Sequence, residues 1–138
     1  MEYLIGALLA LGVGVFGTQV GFDRERGFYP VMLIVIASYY VLFALMGGAP
    51  RAWVVEALVM AGFVVVAMLG FRWNLWLVVA ALFGHGVLDL FHPHLLAHSG
   101  APTWWPMFCM TFDVAAAGYL AALLLGPRGA PSRSGSRA

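Results

Sequence analysis

The stretch WVVEALVMAGFVVVAML, residues 53–69, contains one charged side chain, Glu56, in seventeen residues. A run of this length and composition is sufficient to cross the hydrocarbon core of a bilayer as an α-helix. Four further runs have the same character, namely Tyr3–Val20, Phe28–Met46, Leu75–Phe91 and Met107–Leu125. None of the five alternates apolar and polar residues as the strands of a membrane barrel do. The chain is therefore predicted to be an all-α, five-span transmembrane helical bundle.

The overall composition supports a membrane protein. Of the 138 residues, 63% are hydrophobic and only 9% are charged, whereas about a quarter of the residues in a soluble domain are charged. We expect residues 1–125 to form one five-helix transmembrane domain, with the lipid bilayer as its partner. Residues 126–138 are rich in Gly, Ser, Pro and Arg, and are predicted to form a disordered basic tail. The net charge of +1 gives no indication of nucleic-acid binding.

The arginine residues indicate how the chain is oriented in the membrane. Five spans place the two termini on opposite faces, and cytoplasmic loops are enriched in Lys and Arg. One predicted face carries only Arg51, whereas the other carries Arg24, Arg26, Arg72, Arg128, Arg133 and Arg137. The N-terminus is therefore predicted to lie outside and the C-terminal tail in the cytoplasm.

Ionisable residues inside the spans give the strongest indication of a functional site. The stretch GHGVLDLFHPHLLAH, residues 84–98, holds all four histidines of the chain. Within it His85, Asp89 and His92 are spaced i, i+4, i+7, so they project from one helix face within roughly 60°. Two further carboxylates, Glu56 and Asp113, lie in the third and fifth spans. Such groups are costly inside a membrane and are usually functional.

The depth of these residues indicates that they meet in one pocket. At ~1.5 Å per residue, His85 and Asp113 both lie about 9 Å below the outer boundary, and Asp89 and Glu56 lie roughly 3–5 Å below it. An ionised Asp113 that faced lipid would be strongly destabilising, so it should turn inward and find a partner. We predict that an Asp113 oxygen lies within roughly 5 Å of a polar atom of His85 or Asp89. Glu56 is expected to approach the same pocket.

Imidazole and carboxylate groups together are suitable ligands for zinc or iron. We predict His85, Asp89, His92 and Asp113 as the metal ligands, and Glu56 and Asp113 as the catalytic carboxylates. A bound metal would polarise a substrate oxygen or activate water or dioxygen. The simpler alternative is that Asp89 pairs with His85 or His92, while Glu56 and Asp113 bond to backbone or tyrosine groups.

Three neighbouring residues leave the extent of this site open. Cys109, one turn before the aspartate of the fifth span, is either a ligand or a small packing residue. His94 and His98 lie beyond Pro93, where they either complete the site or are solvated. Because proline cannot continue a normal helical ladder, the fourth helix is predicted to end or kink near His92.

Two other patterns predict how the helices pack. At least one of Tyr39 and Tyr40 lies deep enough to require a hydrogen-bond partner inside the bundle. Small residues three and four positions apart form a stripe that permits close helix packing, and on the first span they are Ala7, Ala10, Gly14, Gly17 and Gly21.

The pattern His85-x3-Asp89-x2-His92, followed by a loop and Cys109-x3-Asp113, resembles an uncharacterised family of small multi-spanning bacterial membrane proteins. That family is a domain of unknown function with a His-x3-Asp-x2-His-His helix and a later Cys-Asp segment. The similarity covers about the last third of the chain, together with the span layout. Here a proline separates the last histidine of the motif from the next, whereas the family has adjacent histidines. The resemblance implies the bacterial inner membrane and supports the site without implying a reaction.

A shorter segment is similar to a second family. His85-Gly86-x2-Asp89 resembles part of the bacterial retinal-forming β-carotene dioxygenases, which hold iron with histidines. This resemblance implies, at most, an apolar isoprenoid as the class of substrate.

Three classes of function are compatible with these features. The first is a metal-binding membrane protein that acts as an enzyme on a lipid or isoprenoid. The second is a metal-free acid–base isomerase or cyclase of an apolar substrate, in which a His/carboxylate pair transfers protons. The third is a structural or accessory subunit of a homo-oligomer or a larger membrane complex. Ion or proton transport is disfavoured, because no ionisable side chain continues the path from the outer half towards the inner loops.

Overall fold

The computed structural model describes residues 1–47, 50–95 and 100–126, which form five α-helices and no β-strand. The helices are α1 (Glu2–Val20), α2 (Phe28–Met46), α3 (Pro50–Arg72), α4 (Trp76–Leu95) and α5 (Trp105–Leu125), with a short 3-10 turn at Phe22–Arg24. All five are long and apolar enough to cross a membrane. The predicted all-α fold with five potential spans is confirmed. The prediction of a disordered tail concerns residues that, beyond Gly126, lie outside the described ranges.

The outside of the bundle is apolar, and its interior holds polar groups. Leu58 is 69% exposed and Phe91 is 57% exposed. In contrast, the five ionisable side chains predicted for the site are each at most 4% exposed, and they are Glu56, His85, Asp89, His92 and Asp113. This distribution is the one expected when the surroundings are lipid, because a charged side chain then turns towards the protein interior.

Helix α5 packs against both α1 and α4, while α3 packs against α2 and α4. Glycine permits the close approach on both sides of α5. A Cβ atom at Gly6 of α1 would collide with the carbonyl oxygen of Phe108. A Cβ atom at Gly86 of α4 would lie only 3.3 Å from the Cβ of Asp113. The predicted small-residue stripe on the first span therefore has a packing role, and its buried members are Ala10, Gly14 and Gly17, joined by Gly6.

The α1–α2 loop, which carries Arg24 and Arg26, lies at the same end of the bundle as Arg72, the last residue of α3. Arg26, in the α1–α2 loop, donates from Nε to the Phe71 carbonyl at 2.9 Å and from Nη2 to the Gly70 carbonyl at 3.3 Å. These bonds hold the α1–α2 loop against the C-terminal end of α3. Three arginines of the predicted grouping, Arg24, Arg26 and Arg72, thus lie at one end of the bundle, whereas Arg128, Arg133 and Arg137 lie outside the described residues, and the outward position of the N-terminus stays a prediction.

The sequence predicts that the fourth helix ends or kinks near His92. Helix α4 does not end at His92, because it continues through Pro93 to Leu95, the last residue described before residue 100, and the kink stays a prediction. Proline removes one donor, so only the ladder bond to the Asp89 carbonyl is lost, and membrane helices tolerate such a loss when neighbouring groups compensate. His94 therefore lies on the helix, where it is exposed. His98 lies outside the described residues.

Candidate metal centre

Four buried side chains from α4 and α5 converge where the two helices approach at Gly86. Helix α4 supplies His85 and Asp89, and α5 supplies Cys109 and Asp113. Each of the four is at most 2% exposed. Within each pair the i, i+4 spacing places both side chains on one helix face. The two faces meet because glycine permits the close approach, and we refer to these four residues as the α4–α5 cluster.

The imidazole of His85 lies between two aspartates. Its Nδ1 is 2.7 Å from Asp113 Oδ2 and 3.6 Å from Asp89 Oδ2. Because an ionised carboxylate only accepts hydrogen bonds, Nδ1 is the donor to Asp113, and the longer distance exceeds hydrogen-bond range. The prediction that Asp113 turns inward towards His85 is confirmed. Phe63 of α3 contacts the imidazole edge-on, with ring centroids 4.8 Å apart, and covers the cluster on that side.

The α4–α5 cluster has a size that suits a metal ion. One potential ligand atom from each residue lies within 4.8 Å of all the others. In a tetrahedral site with bonds of about 2.0–2.3 Å, neighbouring ligand atoms are roughly 3.4 Å apart. The His85–Asp113 contact would have to open by roughly 0.7 Å and the longer contacts would have to shorten. Binding through His85 Nδ1 would also require the loss of the proton that this atom donates to Asp113, because only a deprotonated imidazole nitrogen ligates a metal.

Two carboxylate oxygens in this cluster have no hydrogen-bond partner among the described residues. They are Asp89 Oδ2 and Asp113 Oδ1, both of them buried. A buried polar atom is destabilising unless it is hydrogen-bonded, paired with a charge or bound to a metal. The two oxygens belong to different helices and to the same cluster. Asp89 Oδ2 has His85 Nδ1 at 3.6 Å, beyond hydrogen-bond range, and a cation bound in the cluster would contact both oxygens directly.

The second oxygen of Asp89 is held by α2. The hydroxyl of Tyr40 donates to Asp89 Oδ1 at 2.7 Å, and Tyr40 is 3% exposed. The prediction that one of the two adjacent tyrosines requires an internal partner is confirmed for Tyr40. A bond of this kind fixes the orientation of a metal-ligating carboxylate and leaves its other oxygen available to the ion. The contact between Tyr40 and Asp89 is not indicated by the sequence, because it depends on how α2 meets α4.

His92 and Glu56 form a separate buried pair. His92 Nε2 lies 2.7 Å from Glu56 Oε1 of α3, and since a carboxylate accepts, the imidazole donates. Neither residue belongs to the α4–α5 cluster. The ring of Tyr40 lies against the imidazole of His92, with centroids 4.0 Å apart and planes inclined at 32°. Tyr40 thus contacts both the α4–α5 cluster and the His92–Glu56 pair, because its hydroxyl bonds to Asp89 and its ring lies against His92.

The structure therefore brings together three of the four predicted metal ligands. His85, Asp89 and Asp113 lie in the cluster, and its fourth member is Cys109 and not His92. The only sequence signal for Cys109 is its position one turn before Asp113. Glu56, predicted as a catalytic carboxylate, approaches the site through the pair with His92 and does not enter the cluster.

Comparison of the chain with protein-family models, curated proteins and solved structures gives no match. Both family resemblances noted in the sequence stay predictions, and the functional argument rests on the geometry of the site.

Proposed function

We propose that this protein binds zinc or iron inside the membrane, with His85, Asp89, Cys109 and Asp113 as the ligands. The observation that carries the proposal is the pair of buried, unpartnered oxygens, Asp89 Oδ2 and Asp113 Oδ1, in a cluster of four potential ligands. Buried carboxylate oxygens without a hydrogen-bond partner are rare because the loss of their hydration is not compensated. A metal ion supplies the missing partner for both.

The charge of the cluster supports a divalent cation. Two ionised aspartates carry a charge of −2, and both side chains are fully buried in the bundle. Coordination would also require the thiolate of Cys109, which brings the charge of the ligands to −3, and a divalent ion would reduce the net charge of the buried site to −1. The imidazole nitrogen and the thiol sulfur add softer donors, and a mixed N, O and S ligand set suits zinc or iron better than magnesium or calcium.

The residues around the cluster are suited to chemistry on a membrane-soluble molecule. A metal bound there would polarise a substrate oxygen or activate water. Tyr40 holds Asp89 in place, and the His92–Glu56 pair lies against Tyr40, where it can accept or release a proton near the cluster. We propose a lipid or an isoprenoid as the substrate, because the apolar exterior of the bundle allows entry from the bilayer.

A metal-free acid–base enzyme is the second candidate, and one observation favours it. The structure contains two His/carboxylate pairs, His85–Asp113 and His92–Glu56, each with a 2.7 Å contact. Such pairs hold and transfer protons without a metal. This candidate leaves the two unpartnered oxygens without an explanation, so the metal site is the stronger proposal.

Metal analysis of the purified protein separates the two candidates. The protein is purified in mild detergent without chelator, and zinc and iron are measured by elemental analysis. We expect about one ion per chain, whereas less than about 0.2 per chain would contradict the proposal. The variant Asp113→Asn, in the cluster, should lose the ion. The variant Glu56→Gln makes the same chemical change at a buried carboxylate outside the cluster, and it should retain the ion.

A further inference from the structure

The buried pair of His92 and Glu56 lies between the α4–α5 cluster and one end of the bundle. His92 follows Asp89 by three residues on α4 and precedes Leu95, the last residue of that helix, by another three. At ~1.5 Å per residue, His92 is about 4.5 Å from each of them along the helix axis. Glu56 lies near the same end of the bundle, six residues after α3 begins at Pro50. An ion that moved along α4 from this end to the cluster would therefore pass the pair.

Side chains that can bind a metal follow one another on α4 from the pair to the cluster. His92, Asp89 and His85 lie on one face of the helix, at intervals of about 4.5 Å and about 6 Å along its axis. Tyr40 spans the first interval, because its ring lies against His92 and its hydroxyl donates to Asp89 Oδ1. Asp89 Oδ2, which has no hydrogen-bond partner among the described residues, lies 3.6 Å from His85 Nδ1. A cation that leaves the pair therefore meets a carboxylate one turn further along.

Apolar side chains close the opposite side of the cluster. Towards the start of α4, the turns that precede His85 bury Leu82 and Val78, the second of them about 10 Å away along the axis. The neighbouring helices add Leu33, Ile36, Ala117 and Leu120 to the same contiguous core. Transfer of a cation across such a layer is strongly unfavourable. In the part of the chain that the structure describes, the polar approach along α4 is thus from the end at which the pair lies.

The His92–Glu56 pair offers fewer ligands than the cluster. An imidazole nitrogen and a carboxylate oxygen both bind zinc and iron, but the pair supplies only these two atoms, whereas the cluster supplies four. An ion held by the pair would keep part of its water shell, and the proton that His92 donates would be released to water. Passage through a site requires binding that is strong enough to admit an ion and weak enough to release it. A site with two ligands beside a site with four meets this requirement.

We propose that the His92–Glu56 pair is the entry site for the metal ion, which passes from the pair to Asp89 and then into the α4–α5 cluster. The carboxylate of Glu56 compensates the charge of the ion while it crosses the buried part of the bundle. This role rests on the proposed function, because an entry site requires a cluster that binds the ion. In the predicted orientation of the chain, the ion arrives from outside.

The rate of metal loading tests the proposal. Metal-free protein in mild detergent is mixed with excess Zn²⁺ and quenched with EDTA at fixed times, and bound zinc is measured by elemental analysis after gel filtration. Glu56→Gln should load more slowly than the wild type by about tenfold or more, because an amide does not compensate the charge of the ion in transit. The final metal content should be the same in both proteins. Release of the ion to excess EDTA should slow by the same factor, because a change confined to the path leaves the affinity unaltered.

A matched variant controls for the loss of negative charge. Glu2 is a partly exposed carboxylate near the same end of the bundle, since Gly6 of its helix contacts Phe108 near the start of α5. Glu2→Gln removes the same charge away from the pair, so it should load at the rate of the wild type. Glu56→Gln is the decisive variant, because glutamine still accepts the hydrogen bond that His92 donates and the contact between α3 and α4 is retained.

A second variant removes the other member of the pair. His92→Phe keeps an aromatic ring against Tyr40 and lacks the ring nitrogens, and it should slow loading as Glu56→Gln does. Equal loading rates of the wild type and Glu56→Gln, or equal slowing in Glu56→Gln and Glu2→Gln, would overturn the entry site and leave the metal centre intact. A lower final metal content in Glu56→Gln without slower loading would make Glu56 a ligand of the centre and would also overturn the entry site. A wild-type protein that binds no ion at equilibrium would contradict both proposals.

Discussion

Replacing Tyr40 with phenylalanine tests how the candidate centre is held together. Tyr40→Phe removes the hydroxyl that donates to Asp89 Oδ1 at 2.7 Å and keeps the ring that lies against His92. Asp89 would then have two buried oxygens without a hydrogen-bond partner, because its Oδ2 already has none among the described residues. We expect both the stability of the metal-free protein and the affinity for the ion to fall.

The size of the effect follows from the type of bond. A hydrogen bond to a charged group contributes about 1.5–3 kcal/mol in soluble proteins, whereas side-chain hydrogen bonds in membrane proteins average about 0.6 kcal/mol. The Tyr40–Asp89 bond has a charged acceptor and lies inside a membrane bundle, so a loss of about 1–2 kcal/mol is expected. Removal of a group that orients a metal ligand typically weakens metal binding by about 10–100-fold.

A second tyrosine on α2 provides the control. Tyr29 has the same 3% exposure as Tyr40, yet its hydroxyl has no hydrogen-bond partner among the described residues. Tyr29→Phe should therefore leave stability unchanged or raise it slightly, and should not affect metal affinity. Both variants are compared by denaturant unfolding in mixed micelles and by competition with a metal chelator. Equal effects of the two substitutions would refute the assignment of Tyr40 as the residue that positions Asp89.

Three further predictions concern the helix contact, the thiol and the topology. Gly86→Ala should weaken metal binding by crowding Asp113. Gly84→Ala adds a methyl group with no neighbour within 4 Å and should leave metal binding unchanged. Competition with a chelator measures the metal affinity of both variants. In protein loaded with Co²⁺, a thiolate-to-metal charge-transfer band should appear and be lost in Cys109→Ser, and an unchanged spectrum would remove the thiol from the ligand set. A cysteine at Ser134 should resist impermeant thiol reagents on intact cells, and ready labelling would reverse the predicted orientation.

The helices could be predicted from the sequence because each span is marked by its own residues. A run such as Trp53–Leu69 carries enough apolar length to identify a span without knowledge of its neighbours. The observed α3 extends from Pro50 to Arg72, a few residues longer at each end. The ends are less predictable than the spans, as Pro93 shows, because a helix continues wherever neighbouring groups replace one lost bond.

The site could be predicted only in part, for a related reason. The i, i+4 spacing places His85 and Asp89 on one face of α4, and depth matching selects Asp113 as their partner. The spacing within α4 does not specify which neighbouring helix contacts each residue on that face of α4. His92 lies on the same face and contacts Glu56 of α3, while Cys109 enters the cluster from α5. Such contacts depend on how helices rotate and cross, which periodicity within one helix does not determine.

X-ray absorption spectroscopy of the zinc-loaded protein tests the central claim most directly. The α4–α5 cluster predicts one sulfur at about 2.3 Å and three nitrogen or oxygen atoms at about 2.0–2.2 Å from the metal. The sulfur signal should disappear in Cys109→Ser, and the Glu56→Gln spectrum should match that of the wild type. A first shell without sulfur, or a spectrum that changes in Glu56→Gln and not in Asp113→Asn, would contradict the assignment of the metal to this cluster.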